Sequence, residues 1–567
     1  MSPSAERTDP AVHPAAGNSD SASGSNRGNM PKVKAPLLLS GRPRVSAATL
    51  GIPLAYLAVT LFGIWWIDIR PAAVAAGLGD IARLLERMVP PTTGPLPDLL
   101  TLTLETLWIA VAGTGLAAIA SVFLAAAASR HFTGPRVLRW LAQAIIIVTR
   151  AIPSLIFAII FVRIFGLGPL AGALAIAFHS VGMIGKMMSD VFEEQVPAPR
   201  EAIAAVGANR MQNFVSTTLT RALPAVTSLV IYRLDINVRA SAVLGLVGAG
   251  GIGVALQTAI GSLNYRRAAG IILVIIALLL ILELVAYLVQ RAVAEHADEH
   301  TQSQLFVPGP AAATPGWNRA RILRTGGTAA VACLFLYSLS QLSLNPARLG
   351  QAWNNATALL SGFVPPMVTR DILLGIFESV IMAFTATFFG VVIGLVIAVL
   401  STRHLVRFAP LAFVLRGLVV FMRGIPDIIY ALIFVAALGL GPFAGFLALT
   451  ISCTALASKF FTDSLQNVDP APIRALEATG ANRLQVFVSG VWPQFVPSFI
   501  GNSLFTSDLA LRESAVLGIV GAGGVGFLLD ESVATLHYQQ TAGILIGLVV
   551  VVVALESVAR WARRKVI

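Results

Sequence analysis

Apolar runs of membrane-spanning length recur along this chain in two series. A helix needs about 20 apolar residues to cross the hydrocarbon core of a bilayer. Runs at 46–68, 102–127, 138–166, 168–189, 222–260 and 268–291 qualify, and a second series follows at 325–343, 374–400, 409–439, 441–463, 495–533 and 541–559. The longest are interrupted by Pro or by Gly-rich strings, which predicts broken helices, or a span followed by a re-entrant piece. The pattern predicts an all-α polytopic membrane protein with about six crossings per half and about twelve in all.

The first 45 residues have another character: rich in Ser, Ala, Pro, Gly and Asn, with scattered Arg and Lys and no helical or strand period. A disordered tail is expected there. It is not read as a signal peptide, because the first apolar run is long enough to span and lacks a small-residue cleavage site after it.

Composition sharpens the picture. Of 567 residues, 56% are hydrophobic and 12% charged, with a mean hydropathy of +0.80. That is about half the charge of a soluble domain, which excludes an ordinary cytosolic enzyme. The net charge of +12 follows from topology. With a cytoplasmic N-terminus, the segments expected inside hold most of the cations, among them Arg130, Arg136, Arg200, Arg210, Arg221, Arg403, Arg407, Arg474, Arg483 and the C-terminal Arg560–Lys565 cluster. The outside segments hold few, and this is the positive-inside asymmetry. No nucleic-acid partner is needed to account for the charge. Cys333 and Cys453 both lie in apolar stretches and are read as packing residues.

The two series are copies of one another. Residues 150–172 and 423–445 are identical at 14 of 23 positions at an offset of 273, and 237–253 matches 510–526 at 12 of 17. The same offset aligns Gly207-Ala208-Asn209-Arg210 with Gly480-Ala481-Asn482-Arg483, Lys186 with Lys459, Asp190 with Asp463, Glu105 with Glu378, and Glu283 with Glu556. The expected organisation is a tail at 1–45, a first repeat at 46–293, a polar cytoplasmic linker at 294–322 and a second repeat at 323–567. An even number of crossings per repeat makes the halves parallel, so they can face each other about an axis along the membrane normal with a pathway between them.

After the fourth span of each half comes a polar loop expected in the cytoplasm. In the first half Pro199 can open a short helix, Glu201 suits its first turn, and Gly207 can stop it in a left-handed conformation. Ala202, Ala204 and Ala205 would let such a helix lie in a groove on a partner; an ordinary connecting loop is the plainer reading. Gly248, Gly250 and Gly253 spell G-x-G-x-x-G, as do Gly521, Gly523 and Gly526. No strand precedes them and no acid follows at the right distance, so close packing or a helix break is expected rather than nucleotide binding. The chain carries no G-x(4)-GK-[ST] string. No catalytic set appears, and no His or Cys pair has metal-ligand spacing; His131 and His404 read as surface residues.

Glu201-Ala202 followed by Gly207 resembles the EAA loop of permease subunits of bacterial ATP-binding-cassette importers. The second copy keeps Ala475, Gly480 and Pro493 but has Arg474 where the family's Glu would stand, and the first copy has Thr220 at the position of that Pro. The flanking strings, IP-x(6)-IFV-x(3)-GLGP-x-AG and ESAVLG-VGAGG-G, are similar to those of phosphonate importer permeases. The resemblance covers about 100–293 and 373–566. It implies the MetI-like permease fold in two fused copies, where family members are often single-copy proteins that pair. It also implies docking of both loops (Glu201, Ala202, Gly207; Ala475, Gly480) on a cytoplasmic ATPase dimer that binds the ATP. An extracytoplasmic phosphonate-type substrate-binding protein, a bacterial inner-membrane location and cytoplasmic termini complete what it implies. This chain is then no enzyme and holds no cofactor itself.

Ionisable residues inside spans are functional candidates. An oxyanion needs compensating charge as it crosses, and Arg239 and Arg512, beside the Gly-rich breaks, are the preferred pathway pair, with Lys186 and Lys459 as further candidates. Pairing of these cations with Asp235, Asp508, Asp190 or Asp463 to hold helices together is the alternative. Glu105, Glu378, Glu283 and Glu556 are expected near span ends or in internal pairs. Two rival functions stay open: the same machine for phosphate or phosphite, and a secondary transporter, which would need a coupling carboxylate and no docking loop.

Overall fold

The computed structural model describes residues 47–69, 71–130, 135–302, 319–342, 346–402 and 409–566, and every regular element among them is a helix. The expected tail, the middle of the linker, His131 and the Arg403–His404 pair lie outside the described residues. The first half runs α1 (Ala47–Trp66), α2 (Pro71–Arg87), α3 (Leu96–Ala128), α4 (Arg136–Ala151), α5 (Ser154–Phe165), α6 (Pro169–Glu193), α7 (Ala198–Ala205), α8 (Arg210–Asn213), α9 (Thr220–Leu244), α10 (Ile252–Gly261) and α11 (Tyr265–Gln302). The second half repeats the order: α12 (Arg319–Ser340), α13 (Pro346–Gly362), α14 (Arg370–Ser401), α15 (Ala409–Gly424), α16 (Asp427–Leu438), α17 (Pro442–Gln466), α18 (Pro470–Ala478), α19 (Arg483–Val486), α20 (Trp492–Gly518), α21 (Val525–Ala534) and α22 (Tyr538–Val566). Each element thus has its counterpart eleven places later. The linker expected at 294–322 is helical at both ends, because α11 runs on to Gln302 and α12 begins at Arg319.

Among the described residues seven helical stretches are long and apolar enough to cross a membrane, and nine if each of two bent pairs counts as one span. The bends, 96° between α4 and α5 and 84° between α15 and α16, fall at Ile152-Pro153 and Ile425-Pro426. Proline removes a helical donor and forces the residue before it out of the helical region; Ile152 is accordingly extended, at φ −92° and ψ 123°. The difference from about twelve crossings lies in α1, α12 and α20. In the first two the described side chains cover the apolar stretches Leu54–Trp66 and Thr325–Ser340, parts of helices of 20 and 22 residues, and α20 carries Asp508, Arg512 and Glu513 within its 27 residues. The runs at 222–260 and 495–533 are each a long helix, a Gly-rich turn and a short helix.

Small residues set the packing. α3 lies against α6 and α14 against α17 at glycines: a Cβ on Gly113 would sit 2.7 Å from the Ala173 carbonyl oxygen, and one on Gly390 would sit 2.4 Å from Cys453 Cβ. In lipid, where apolar surface has no water to escape, such close backbone approach supplies the attraction. Cys453 is buried there as a packing residue, whereas Cys333 is exposed on α12.

The halves also exchange their first helices. Tyr56 of α1 donates to the Phe384 carbonyl (3.1 Å), and its hydroxyl lies 3.2 Å from Ser507 Oγ; Trp66 packs edge-on to Phe377. Conversely, Tyr337 of α12 stacks edge-on to Trp108 of α3, and Asn355 of α13 donates to the Ile164 carbonyl at the end of α5 (3.0 Å). Each half is therefore completed by the other's leading helices.

Candidate functional site

The Gly-rich turns are built the same way twice. After α9, Gly248, Gly250 and Gly251 take φ of +82°, +85° and +76°; after α20, Gly521, Gly523 and Gly524 take +86°, +80° and +75°. Only glycine adopts such a run without strain. The freed N–H groups at the start of α10 are taken by α3: Gly251 donates to Glu105 Oε1 (3.2 Å) and Ile252 to Thr106 Oγ1 (2.9 Å). In the second half Gly524 donates to Glu378 Oε1 (2.8 Å) and Val525 to Ser379 Oγ (2.9 Å). The donors that would cradle a nucleotide phosphate in a G-x-G-x-x-G loop are engaged by the protein's own side chains. Glu105 and Glu378 are the caps of these turns.

Between the halves lies a charged cluster with approximate two-fold symmetry. Arg239 pairs with Asp235 one turn back (3.0 Å), donates to the Arg423 carbonyl at the second half's bend (3.3 Å), and stands 3.9 Å from Glu283. Arg423 is likewise 3.9 Å from Glu283. Arg512 pairs with Asp508 (2.7 Å) and donates to the Arg150 carbonyl at the first half's bend (3.3 Å), while Arg150 forms an ion pair with Glu556. Each guanidinium thus caps the broken helix of the opposite half. The pairing read as an alternative from the sequence is what both arginines do. Lys186 pairs with Asp190 and Lys459 with Asp463 along their own helices, with side chains about half exposed; these lysines hold no bond across the halves among the described residues.

Among the residues of this region that break the symmetry is one that sequence reading missed. Arg233 of α9 is only 5% exposed, and among the described residues its one hydrogen bond runs from Nε to Ser180 Oγ at 3.4 Å. Ser180 donates to Asn237 Oδ1 (3.0 Å), and Asn237 donates to Thr114 Oγ1 (2.8 Å). The counterparts of Arg233, Ser180 and Asn237 are Thr506, Cys453 and Ala510. The signal was available as an arginine in a span of one repeat facing threonine in the other.

The two polar loops lie on the surface of the bundle, with Ile473 of α18 packed against its core. None of α7 or α18 is buried, so Glu201, Ala202, Arg474 and Ala475 are all presented outward. Gly207 and Gly480 end these helices at φ +85° and +80°. The next turn starts with a reciprocal cap in each case, Asn209 with Gln212 and Asn482 with Gln485. Val206 at 79% and Leu484 at 72% exposure give each loop an uncovered apolar residue. A π-helical segment, Phe214–Leu219 or Phe487–Val491, then leads into α9 or α20.

Residues 117–297 and 390–566 each match the family described as the binding-protein-dependent transport system inner membrane component. The chain belongs to that family, twice over. It is 36% identical over 513 residues to the phosphate-import permease protein PhnE of Mycolicibacterium smegmatis, covering 90% of this chain and 93% of that one. It is 35% identical over 226 residues to the phosphite transport system permease protein PtxC of Stutzerimonas stutzeri, covering 40% of this chain and 82% of that one. A solved structure of the MetNI methionine ABC transporter matches at 24% identity and a TM-score of 0.33, covering 35% of this chain and all of that one. The protein is thus a tandem-fused permease of an ATP-binding-cassette importer, a transport component rather than an enzyme. Membership implies an ATPase and a substrate-binding protein as partners and leaves no place for the secondary-transporter alternative.

Proposed function

We propose that this permease carries a phosphonate or a related phosphorus oxyanion inward between its two halves, with the outward-facing α7 and α18 docked on a cytoplasmic ATPase pair and both termini in the cytoplasm. The observation that carries the reading is the pair of guanidiniums, Arg239 and Arg512, each reaching across the interface to the other half's bend. Guanidinium is the side chain best matched to a phosphorus oxyanion, because it stays charged and donates in a planar fork. The relatives named for phosphate and phosphite point to the same substrate class and favour a phosphonate-type binding protein as the delivering partner. In the docking loops Glu201, Ala202 and Gly207 form one contact, and Ala475 and Gly480 form the other. Arg474 in place of Glu makes the second depend more on shape than on a carboxylate.

The test removes charge without orphaning it. Arg239→Gln with Asp235→Asn, and Arg512→Gln with Asp508→Asn, delete both partners of each pair, which avoids the heavy cost of a lone buried charge. Uptake of labelled methylphosphonate is expected to fall more than tenfold (about 1.4 kcal/mol or more in transition-state stabilisation), while the ATPase still co-purifies with the variant. Unchanged uptake would make these pairs purely structural and remove them from the pathway.

A further inference from the structure

We infer that an anion-binding site for the transported substrate lies at the first half's bend and is not repeated at the second, with Arg233 as its principal cation and the Ser180–Asn237–Thr114 chain holding it in place. This deepens the proposed function and rests on it for the chemical class of the anion. The starting point is an unbalanced charge. Arg233 is buried in a span, its hydrogen bond to Ser180 is long, and no described carboxylate pairs with it. A cation in such a place is costly unless an anion meets it. The other buried arginine of the interface, Arg512, has a carboxylate partner, with Asp508 on one side and a carbonyl on the other.

The neighbours point the same way. His179 of α6 bonds through Nδ1 to the Ile152 carbonyl at the first half's bend (2.9 Å) and stands within electrostatic reach of both Arg233 and Arg512. Arg512 itself is 7% exposed and holds an Nε–H with no acceptor among the described residues. Three nitrogen-bearing side chains from the two halves therefore gather at one bend. The second half has no such set: Thr506 and Ser452 replace Arg233 and His179, Asp427 opens α16 at its bend, and Glu513 lies within electrostatic reach of Asp427 and Arg512. An anion passing between the halves meets Arg233, with which no described carboxylate pairs, at the first bend and the Asp427 carboxylate at the second. The single site follows from that contrast.

The hydrogen-bonded chain behind Arg233 explains how it is positioned. Ser180 accepts from Arg233 and donates to Asn237, and Asn237 donates to Thr114. The direction of every bond is set by the arginine, which can only donate. Replacing Asn237 with its counterpart, alanine, breaks the chain without touching the cation.

The full-length chain in detergent, without ATPase, is titrated with inorganic phosphate, with methylphosphonate and with sulfate while its thermal unfolding is followed. Uptake by the complete complex is measured in parallel. For the native protein a phosphorus anion is expected to raise the unfolding temperature. Arg233→Thr is expected to lose that response and to raise the KM for uptake at least tenfold, while its unfolding temperature without ligand stays level or rises. Arg233→Lys should keep part of the response, and Asn237→Ala should weaken it. If Arg233→Thr responds to phosphorus anions and transports like the native protein, the site is wrong although the substrate class stands. If sulfate stabilises the native protein through Arg233 but neither phosphorus anion does, the site stands and the phosphorus reading falls. If no anion acts and Arg233→Thr transports normally, the inference is overturned outright.

Discussion

Reversing Arg150 to Glu should abolish transport and lower stability by about 3 kcal/mol, in the range for breaking an enclosed ion pair, and adding Glu556→Arg should recover part of the loss. Arg150 ends α4 and Glu556 lies on α22, 406 residues away, yet they form an ion pair with side chains 18% and 24% exposed. Arg150→Glu sets two carboxylates against each other at the junction of the halves. The double variant restores opposite charge, although the guanidinium introduced on α22 would then lie near Arg512, so recovery is partial. Residues in direct contact couple by about 0.5–3 kcal/mol in a double-mutant cycle, and at least about 1 kcal/mol is expected here. The measurement is thermal unfolding of all four proteins in the same detergent. Strict additivity would show that the pair does not join the halves.

The second large effect concerns Gly445 and Gly172. A Cβ on Gly445 would lie 2.3 Å from the Ala522 carbonyl oxygen, and one on Gly172 would lie 2.4 Å from the Ala249 carbonyl oxygen. Both obstacles are backbone atoms of the Gly-rich turns, so no rotamer change relieves them. Overpacking a tight site commonly costs about 1–3 kcal/mol, and with backbone on both sides the upper end is expected for Gly445→Val. The turn must move away from α17, which also pulls Gly524 off Glu378. Expression should fall and the unfolding temperature should drop by several degrees. Gly501→Ala, where nothing lies within 4 Å, is the control and should be silent. Equal behaviour of the two variants would contradict the packing described for the turns.

What could be read beforehand followed local rules. The 273-residue offset, the helix breaks at Pro153 and Pro426, and the left-handed ends at Gly207 and Gly480 are properties of short strings. So are the four cation–carboxylate pairs spaced four residues apart on helices, at 186/190, 235/239, 459/463 and 508/512. What could not be read depends on the facing of the two halves. The exchange of α1 and α12 between halves leaves no periodic signal. Neither does the reach of Arg239 and Arg512 to the opposite bends, since their partners lie 184 and 362 residues away. Arg233 was passed over for another reason: aligning the repeats draws attention to what they share, and this residue matters because they differ.

Uptake into sealed vesicles tests the central claim most directly. The chain is reconstituted with its ATPase and substrate-binding protein, and labelled methylphosphonate and phosphate are supplied on the binding-protein side with ATP on the other. Accumulation should require all three proteins and ATP, and should stop when the ATPase is omitted, whatever ion gradient is imposed. Accumulation driven by an ion or proton gradient with the chain alone would contradict the importer mechanism.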